Sequence, residues 1–158
     1  NLYSSIFDEC DLSFSRFMYA YMKQAEMNNS KMRGANVRGT DLSFSKLNEV
    51  DLSGAILKYC DLSSCTFKEV KLSNANLIGA DLKDAFCSGI EIDEANLEGA
   101  DLTYANLEGS NLNNSFFLEA NLHGTNFTNA NLSDAYLVDA NIGKAITKGA
   151  NLENTILQ

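Results

Sequence analysis

The chain contains no proline, a single histidine (His123), and no lysine or arginine anywhere between residues 84 and 139. No stretch approaches the roughly 18 uninterrupted apolar residues of a membrane span. No charged-then-apolar segment opens the chain in the manner of a targeting signal. It therefore reads as a soluble protein, cytoplasmic, or secreted if a longer parent sequence carries a signal. The four cysteines, Cys10, Cys60, Cys65 and Cys87, lack CxxC spacing, which argues against a metal or redox centre and for reduced thiols in a core. No Ser/His/Asp or Cys/His set can be assembled around His123, and no phosphate-cradling glycine loop is present. Neither an enzymatic activity nor a cofactor is expected. The absence of proline suits a chain whose backbone amides are all needed in a ladder.

What the sequence has is a period of five. Positions leaving remainder two on division by five run Leu2, Phe7, Leu12, Phe17, Met22 and on to Leu157, with Thr147 the one polar exception. Positions leaving remainder zero are small almost throughout, Ile90 being the bulky exception. All 33 charged residues, and every glycine, fall in the other three classes. A five-residue step rotates a position by about 140° on an α-helix and alternates faces on a flat strand, so neither buries one stripe. The pattern closes only if the chain bends the same way every five residues, which is a solenoid. Nine of the ten glycines occupy remainder four, the corner, where unusual φ is favoured.

Asn or Asp fills 12 of the 16 positions ending in 1 but 5 of the 16 ending in 6. This ten-residue alternation stays in phase between coils of 20 residues and loses phase in coils of 15, so four sides are predicted. About eight coils follow, a rod about 40 Å long at a strand spacing of ~4.8 Å. The steps Ala75-Asn76-Leu77-Ile78-Gly79, Ala95-Asn96-Leu97-Glu98-Gly99 and Ala100-Asp101-Leu102-Thr103-Tyr104 resemble the A(D/N)LXX unit of the pentapeptide-repeat family. That resemblance implies an all-β, right-handed quadrilateral parallel β-helix over residues 1–158 as a single domain. The repeat is in phase at both ends, so the domain is expected to belong to a longer chain, with the parent sequence or a second copy covering at least one of its uncapped coil ends.

Twenty-residue coils convert the sequence into surface columns. Asp41, Asp61, Asp81 and Asp101 form an acidic column whose carboxylates are expected to accept turn amides. Asp11, Lys31, Asp51, Lys71 and Glu91 alternate in sign, as in a cross-strand ion-pair ladder. The base-free stretch adds Glu91, Asp93, Glu94 and Glu98 to an acidic surface that repels phosphates, so nucleic acid is not an expected partner. On the later coils Phe116, Leu118, Tyr136, Val138 and Ile156 point outward beside Glu119 and Asp139, a candidate contact site for another protein. A looser aromatic set, Phe14, Tyr19, Tyr21, Phe44 and Tyr59, is interspersed with Arg38 and Lys58. The chain reads as a rigid protein-binding or targeting module, for instance of a secreted bacterial effector. The alternative is the DNA-mimic role against a type II topoisomerase that the family resemblance implies for gyrase-protecting members. Against that alternative, no loop interrupts the phase and no dimerisation module is evident after Leu157.

Overall fold

The computed structural model describes residues 1–157 and is a parallel β-helix with no α-helix among them. Its geometry follows from one local event repeated along the chain. Every residue of remainder four, from Ser4 to Asn154, has φ between 51° and 72°. At most corners the next amide then closes a β-turn onto the carbonyl three residues back, as in Ala55 to Leu52 at 3.0 Å and Ala105 to Leu102 at 2.9 Å; Ser30, Val50, Val70 and Ile90 are among the exceptions. A left-handed third residue marks a type II turn, so the chain changes direction every five residues. The corners hold 22 non-glycine residues alongside nine glycines. The left-handed conformation costs a non-glycine residue about 1–2 kcal/mol, so the inter-coil ladder must impose it.

That ladder has a single register. All isolated bridges are parallel and join residues 20 apart, from Ile6 with Glu26 to Tyr136 with Ile156. β1 (Lys46–Asn48) and β2 (Thr66–Lys68) pair in the same register. Amides of remainders two and four donate to carbonyls 19 residues later, and amides of remainder one donate to carbonyls 21 residues earlier; examples are Leu57 to Asn76 at 2.7 Å, Gly79 to Glu98 at 2.9 Å and Asn76 to Ala55 at 2.9 Å. The turn uses the remainder-zero amide. Among the described residues of the interior coils the remainder-three amide is the class left without a backbone carbonyl, joined on one column by the amides of Ser30, Val50, Glu69, Val70 and Ile90.

The Asn or Asp of remainder one serves that fifth amide. All 17 Asn and Asp residues of remainder one accept it on their side-chain oxygen, from Tyr3 on Asn1 to Glu153 on Asn151. Where the side chain is Asn or Asp, every amide of an interior five-residue step is therefore paired, as a closely packed backbone requires. This explains why those two residue types recur at this position, since their carbonyl lies at the right distance for an amide two residues on.

Inside, the remainder-two and remainder-zero side chains form one continuous core from Met22 to Leu137. Each large apolar side chain there contributes about 1.5–3 kcal/mol of burial before chain entropy is subtracted. Ile90 extends a column of branched side chains with Val50 and Val70 and is itself buried. Thr147 lies exposed in the last coil, so its hydroxyl meets water. Buried hydroxyls and thiols of remainder zero donate to a carbonyl 23 residues earlier: Thr40 to Phe17 at 2.6 Å, Cys60 to Val37 at 2.8 Å, Cys65 to Leu42 at 2.9 Å, Thr125 to Leu102 at 2.8 Å. Burial pushes the Cys60 and Cys65 thiols up to about 12 and raises Cys87 as well. All four cysteines are free, with Cys10 half-buried in the first coil.

Candidate interaction surface

The most apolar side of the rod is built on one uninterrupted ladder. Bridges run Arg16, Asn36, Ile56, Asn76, Asn96, Phe116, Tyr136, Ile156, each step 20 residues. Two residues further along each coil stand Met18, Arg38, Lys58, Ile78, Glu98, Leu118 and Val138, and at the adjoining corner Tyr19, Gly39, Tyr59, Gly79, Gly99, Glu119 and Asp139. The register thus brings all seven residues of the later-coil site, Phe116, Leu118, Glu119, Tyr136, Val138, Asp139 and Ile156, onto one face. Phe116 and Ile156 are 50% and 47% exposed; Leu118, Tyr136 and Val138 are half-buried, and both acids are exposed.

At Phe116, Tyr136 and Ile156 the position that elsewhere carries the amide-accepting Asn or Asp is apolar. No hydrogen bond from the Leu118 or Val138 amide is present among the described residues. Where an Asn or Asp would satisfy the backbone amide, the chain here carries apolar side chains that are at least partly exposed. Each such position forgoes about 1 kcal/mol of hydrogen bonding, as do the apolar Ile6, Ile56, Phe86 and Ile146 of the same class, but here three fall in successive coils of one ladder.

The early aromatic set does not form a single patch. Tyr19, Tyr59, Arg38 and Lys58 stand on the same side as the later-coil residues, with the Arg38 guanidinium 5.5 Å from the Tyr59 ring centre. Tyr21 instead stacks on Tyr3 with ring centres 5.9 Å apart, Phe44 lies under the Lys23 ammonium at 4.8 Å, and Phe14 occupies another corner. The corner aromatics also account for several glycines. A Cβ on Gly34, Gly39, Gly79 or Gly124 would meet Phe14, Tyr19, Tyr59 or Tyr104, respectively, at 2.4–2.7 Å. Each ring lies across the glycine one coil later. The sequence carried that signal as aromatic and glycine 20 residues apart at remainder four, beyond the corner preference read from it.

The acidic residues are distributed rather than gathered. Asp41, Asp61, Asp81 and Asp101 do stack, and each accepts the amide two residues on at 3.0 Å. The Lys83 ammonium lies 3.4 Å from Asp81 and 3.2 Å from Asp101. Burial opposes ionisation of Asp101, but the Thr103 hydroxyl and amide, with Lys83, hold its carboxyl below the usual range. Glu91 and Asp93 lie on a different side from Asp101, Glu94 stands at a corner and Glu98 is on the apolar face. Asp93 accepts a bond from the Ser73 hydroxyl at 2.7 Å.

The alternating column behaves differently from its expected ion-pair ladder. Its backbones do pair, Asp11 with Lys31 through Lys71 with Glu91, but no salt bridge joins successive members among the described residues. Asp51 is drawn to Arg33 at 2.5 Å instead, and Asp11 and Asp51 turn inward to the amides of Ser13 and Ser53. The turn amide competes for the carboxylate that the ladder would need. An open groove of about 520 Å³ along this side is lined by Lys31, Glu49, Asp51, Glu69, Lys71 and Glu91 over Val50 and Val70. His123, partly exposed, packs edge-on to Tyr104 at 5.7 Å. No group of His, Cys, Asp and Glu able to hold a metal occurs among the described residues, and no helix there is long and apolar enough to cross a membrane.

The unit read from the sequence is matched by the family model of pentapeptide repeats, in eight copies including residues 5–43, 35–74, 45–84, 71–103, 87–117 and 100–137. The chain belongs to the pentapeptide-repeat family. Among solved structures, the pentapeptide-repeat protein Rfr23 from the cyanobacterium Cyanothece 51142 is 29% identical, with a TM-score of 0.58 over 78% of this chain and 91% of that one. QnrB1, a plasmid-mediated fluoroquinolone resistance protein, is 17% identical with a TM-score of 0.55 over 97% of this chain and 91% of its own, a likeness of fold. None of the curated proteins matches the sequence. Within a pentapeptide-repeat protein the lattice residues build the rod, so departures from the repeat, such as Phe116, Tyr136 and Ile156, are where function is to be sought.

Proposed function

We propose that this pentapeptide-repeat β-helix is a rigid, non-enzymatic protein-binding module that presents the Phe116, Leu118, Tyr136, Val138, Ile156 face, with Glu119 and Asp139 at its edge, to a protein partner. The bridges between residues 20 apart, with four turns between them, support a quadrilateral rod of about eight coils; right-handedness is carried over from the family. The observation behind the binding role is the exchange of the amide-accepting residue for exposed hydrocarbon at three consecutive coils of one ladder. An apolar centre with a charged rim is the usual anatomy of a protein contact. The base-free stretch of residues 84–139 favours partners with positive charge nearby. The test is affinity capture with the intact protein and with Phe116→Ala combined with Tyr136→Ala. Loss of captured partners supports the face as the contact site, and unchanged capture of every partner removes it.

A second reading rests on the acids that surround the later coils of a rod with net charge −9: a mimic of duplex DNA that engages a type II topoisomerase. It requires inhibition or protection of gyrase supercoiling by micromolar protein. Absence of any effect eliminates it.

A further inference from the structure

The face just described carries more than its apolar later half. Along the same ladder the first three coils present Arg16, Arg38 and Lys58 and no acid; the fifth to seventh present Glu98, Glu119 and Asp139 and no base. Between them the fourth coil presents only Asn76, Ile78 and Gly79. None of the six charged residues forms a salt bridge among the described residues: the pairs that do form involve Arg33, Lys46, Lys68 and Lys83. Arg16, Arg38, Glu98, Glu119 and Asp139 are exposed and Lys58 is partly so. Positive charge at one end of a face, negative at the other and apolar side chains in five of its seven coils make a surface complementary to itself when reversed end to end.

Building on the reading of this face as a contact surface, we infer that it receives a second copy of this chain, packed face to face and antiparallel about a two-fold axis through the coil of Ile78. Such an axis lies in the interface, across the rods, and keeps each column opposite its own column. Lys58 then faces Glu98 of the other copy, and Arg38 faces Leu118 with Glu119 alongside. Arg16 lies over the Tyr136 ring, Met18 meets Val138, Tyr19 meets Asp139, and Ile78 meets itself. Tyr59 falls opposite Gly99, whose missing side chain leaves room for a ring, since nothing lies within 4 Å of the Cβ position there. A parallel pairing puts Arg38 on Arg38 and Glu98 on Glu98 and is disfavoured, because like charges juxtaposed at an interface are strongly unfavourable. Seven coils at ~4.8 Å spacing and a face about 15 Å wide bury about 900 Å² in total, in the range of weak, transient association. The net charge of −9 on each copy opposes pairing at long range. At physiological salt that repulsion is screened beyond about 8 Å, and the contacting pairs persist.

Sedimentation velocity at physiological salt, over about 10 to 500 µM protein, tests this with the wild type, Lys58→Glu, Glu98→Lys and the double variant. The wild type is expected to move from monomer to dimer within that range. Either single variant puts like charges opposite each other twice per dimer and is expected to weaken association at least about tenfold. The double variant, and an equimolar mixture of the two single variants, restore opposite charges and are expected to return association to within about threefold of wild type. In a Cys10→Ser background, Ile78→Cys should be linked to its own copy by a short bismaleimide and Leu118→Cys should not. A wild type monomeric throughout, single variants that associate unchanged, or self-linkage at Leu118→Cys rather than Ile78→Cys would each overturn the pairing. A monomeric wild type whose Phe116→Ala, Tyr136→Ala variant still loses captured partners would end self-association alone and leave the contact surface standing.

Discussion

Residues 1–83 and residues 84–139 follow the same five-residue lattice and are dressed by different means. The first stretch holds ten acids and ten bases, the second ten acids and no base. All five salt bridges among the described residues involve a cation from the first stretch, as do both cation–π contacts there. In the later coils asparagine amides take over the links between coils. Asn126 donates to Asn106 at 3.0 Å, Asn131 to Asn111 and Asn151 to Asn131 at 3.1 Å, and Asn141 to Asn121 at 2.9 Å. The core beneath is continuous through both. Surface chemistry along this rod can therefore change freely while backbone pairing and core stay constant, and a gradient of charge along one face is compatible with an unchanged fold.

If the core is equivalent in the two halves, Leu42→Asp and Leu102→Asp should be comparably damaging. Both residues are about 1% exposed, and an unpaired charge there should cost several kcal/mol, read as loss of the folded circular dichroism signal or a collapse of the denaturation midpoint. A large difference between them would mean that one half holds the rod together. The corners should distinguish ring-covered from open glycines more finely. In Gly39→Ala the new methyl meets the Tyr19 ring at 2.6 Å, whereas at Gly99 the space is open. Both substitutions carry the left-handed penalty of about 1 kcal/mol, so Gly39→Ala should lose more in urea denaturation, by as much as it takes to displace the ring.

The linkers between coils give the next contrast. Asn131→Ala removes the bond donated to Asn111, the bond accepted from Asn151 and the one accepted from the Ser133 amide. A loss of about 1–2 kcal/mol, insensitive to salt, is expected. Lys83→Ala removes two exposed pairs and should lose no more than about 0.5 kcal/mol, shrinking as salt is raised. Equal losses, or a salt-sensitive Asn131→Ala, would erase the distinction.

Acid should discriminate between carboxylate and amide corners as well. At Asp51 burial opposes ionisation, but the Ser53 hydroxyl, Arg33 and the Ser53 amide prevail and lower the carboxyl from its ordinary 3.8; Asp101 is lowered in the same sense. A lowered folded-state value means stability that is present above the unfolded value and lost as pH falls through the folded one. Replacing both by Asn should flatten the acid side of the stability-against-pH curve below about pH 4, where the other lattice asparagines do not titrate. An acid limb as steep as that of the wild type would show that these two carboxylates contribute little.

Much of the fold was legible because it is written in a residue alphabet with few exceptions. The remainder-two and remainder-zero classes named the interior, and the unequal use of Asn and Asp pointed to the 20-residue register later seen in the bridges. Less legible was what each carboxylate would choose to bind. Asp51 was read as a rung of an alternating ladder, but the Ser53 amide holds one of its oxygens and Arg33, one coil earlier, takes the other. The proposed interaction face was half visible. Phe116 and Tyr136 stood out as apolar residues at outward positions, but Arg16, Arg38 and Lys58 joined them only when every column was followed through its full length. The aromatic-on-glycine packing was hidden because a corner preference already accounted for the glycines.

The claim that Phe116 and Tyr136 serve contact rather than folding can be measured directly by giving both the amide-accepting residue that Asn36, Asn76 and Asn96 supply on the same ladder. Phe116→Asn with Tyr136→Asn should restore acceptors for the Leu118 and Val138 amides. The unfolding free energy in urea should then rise by about 1–2 kcal/mol while the face loses its binding. A fall in stability of that size would mean that the two rings hold the rod together, and would contradict their assignment to a binding surface.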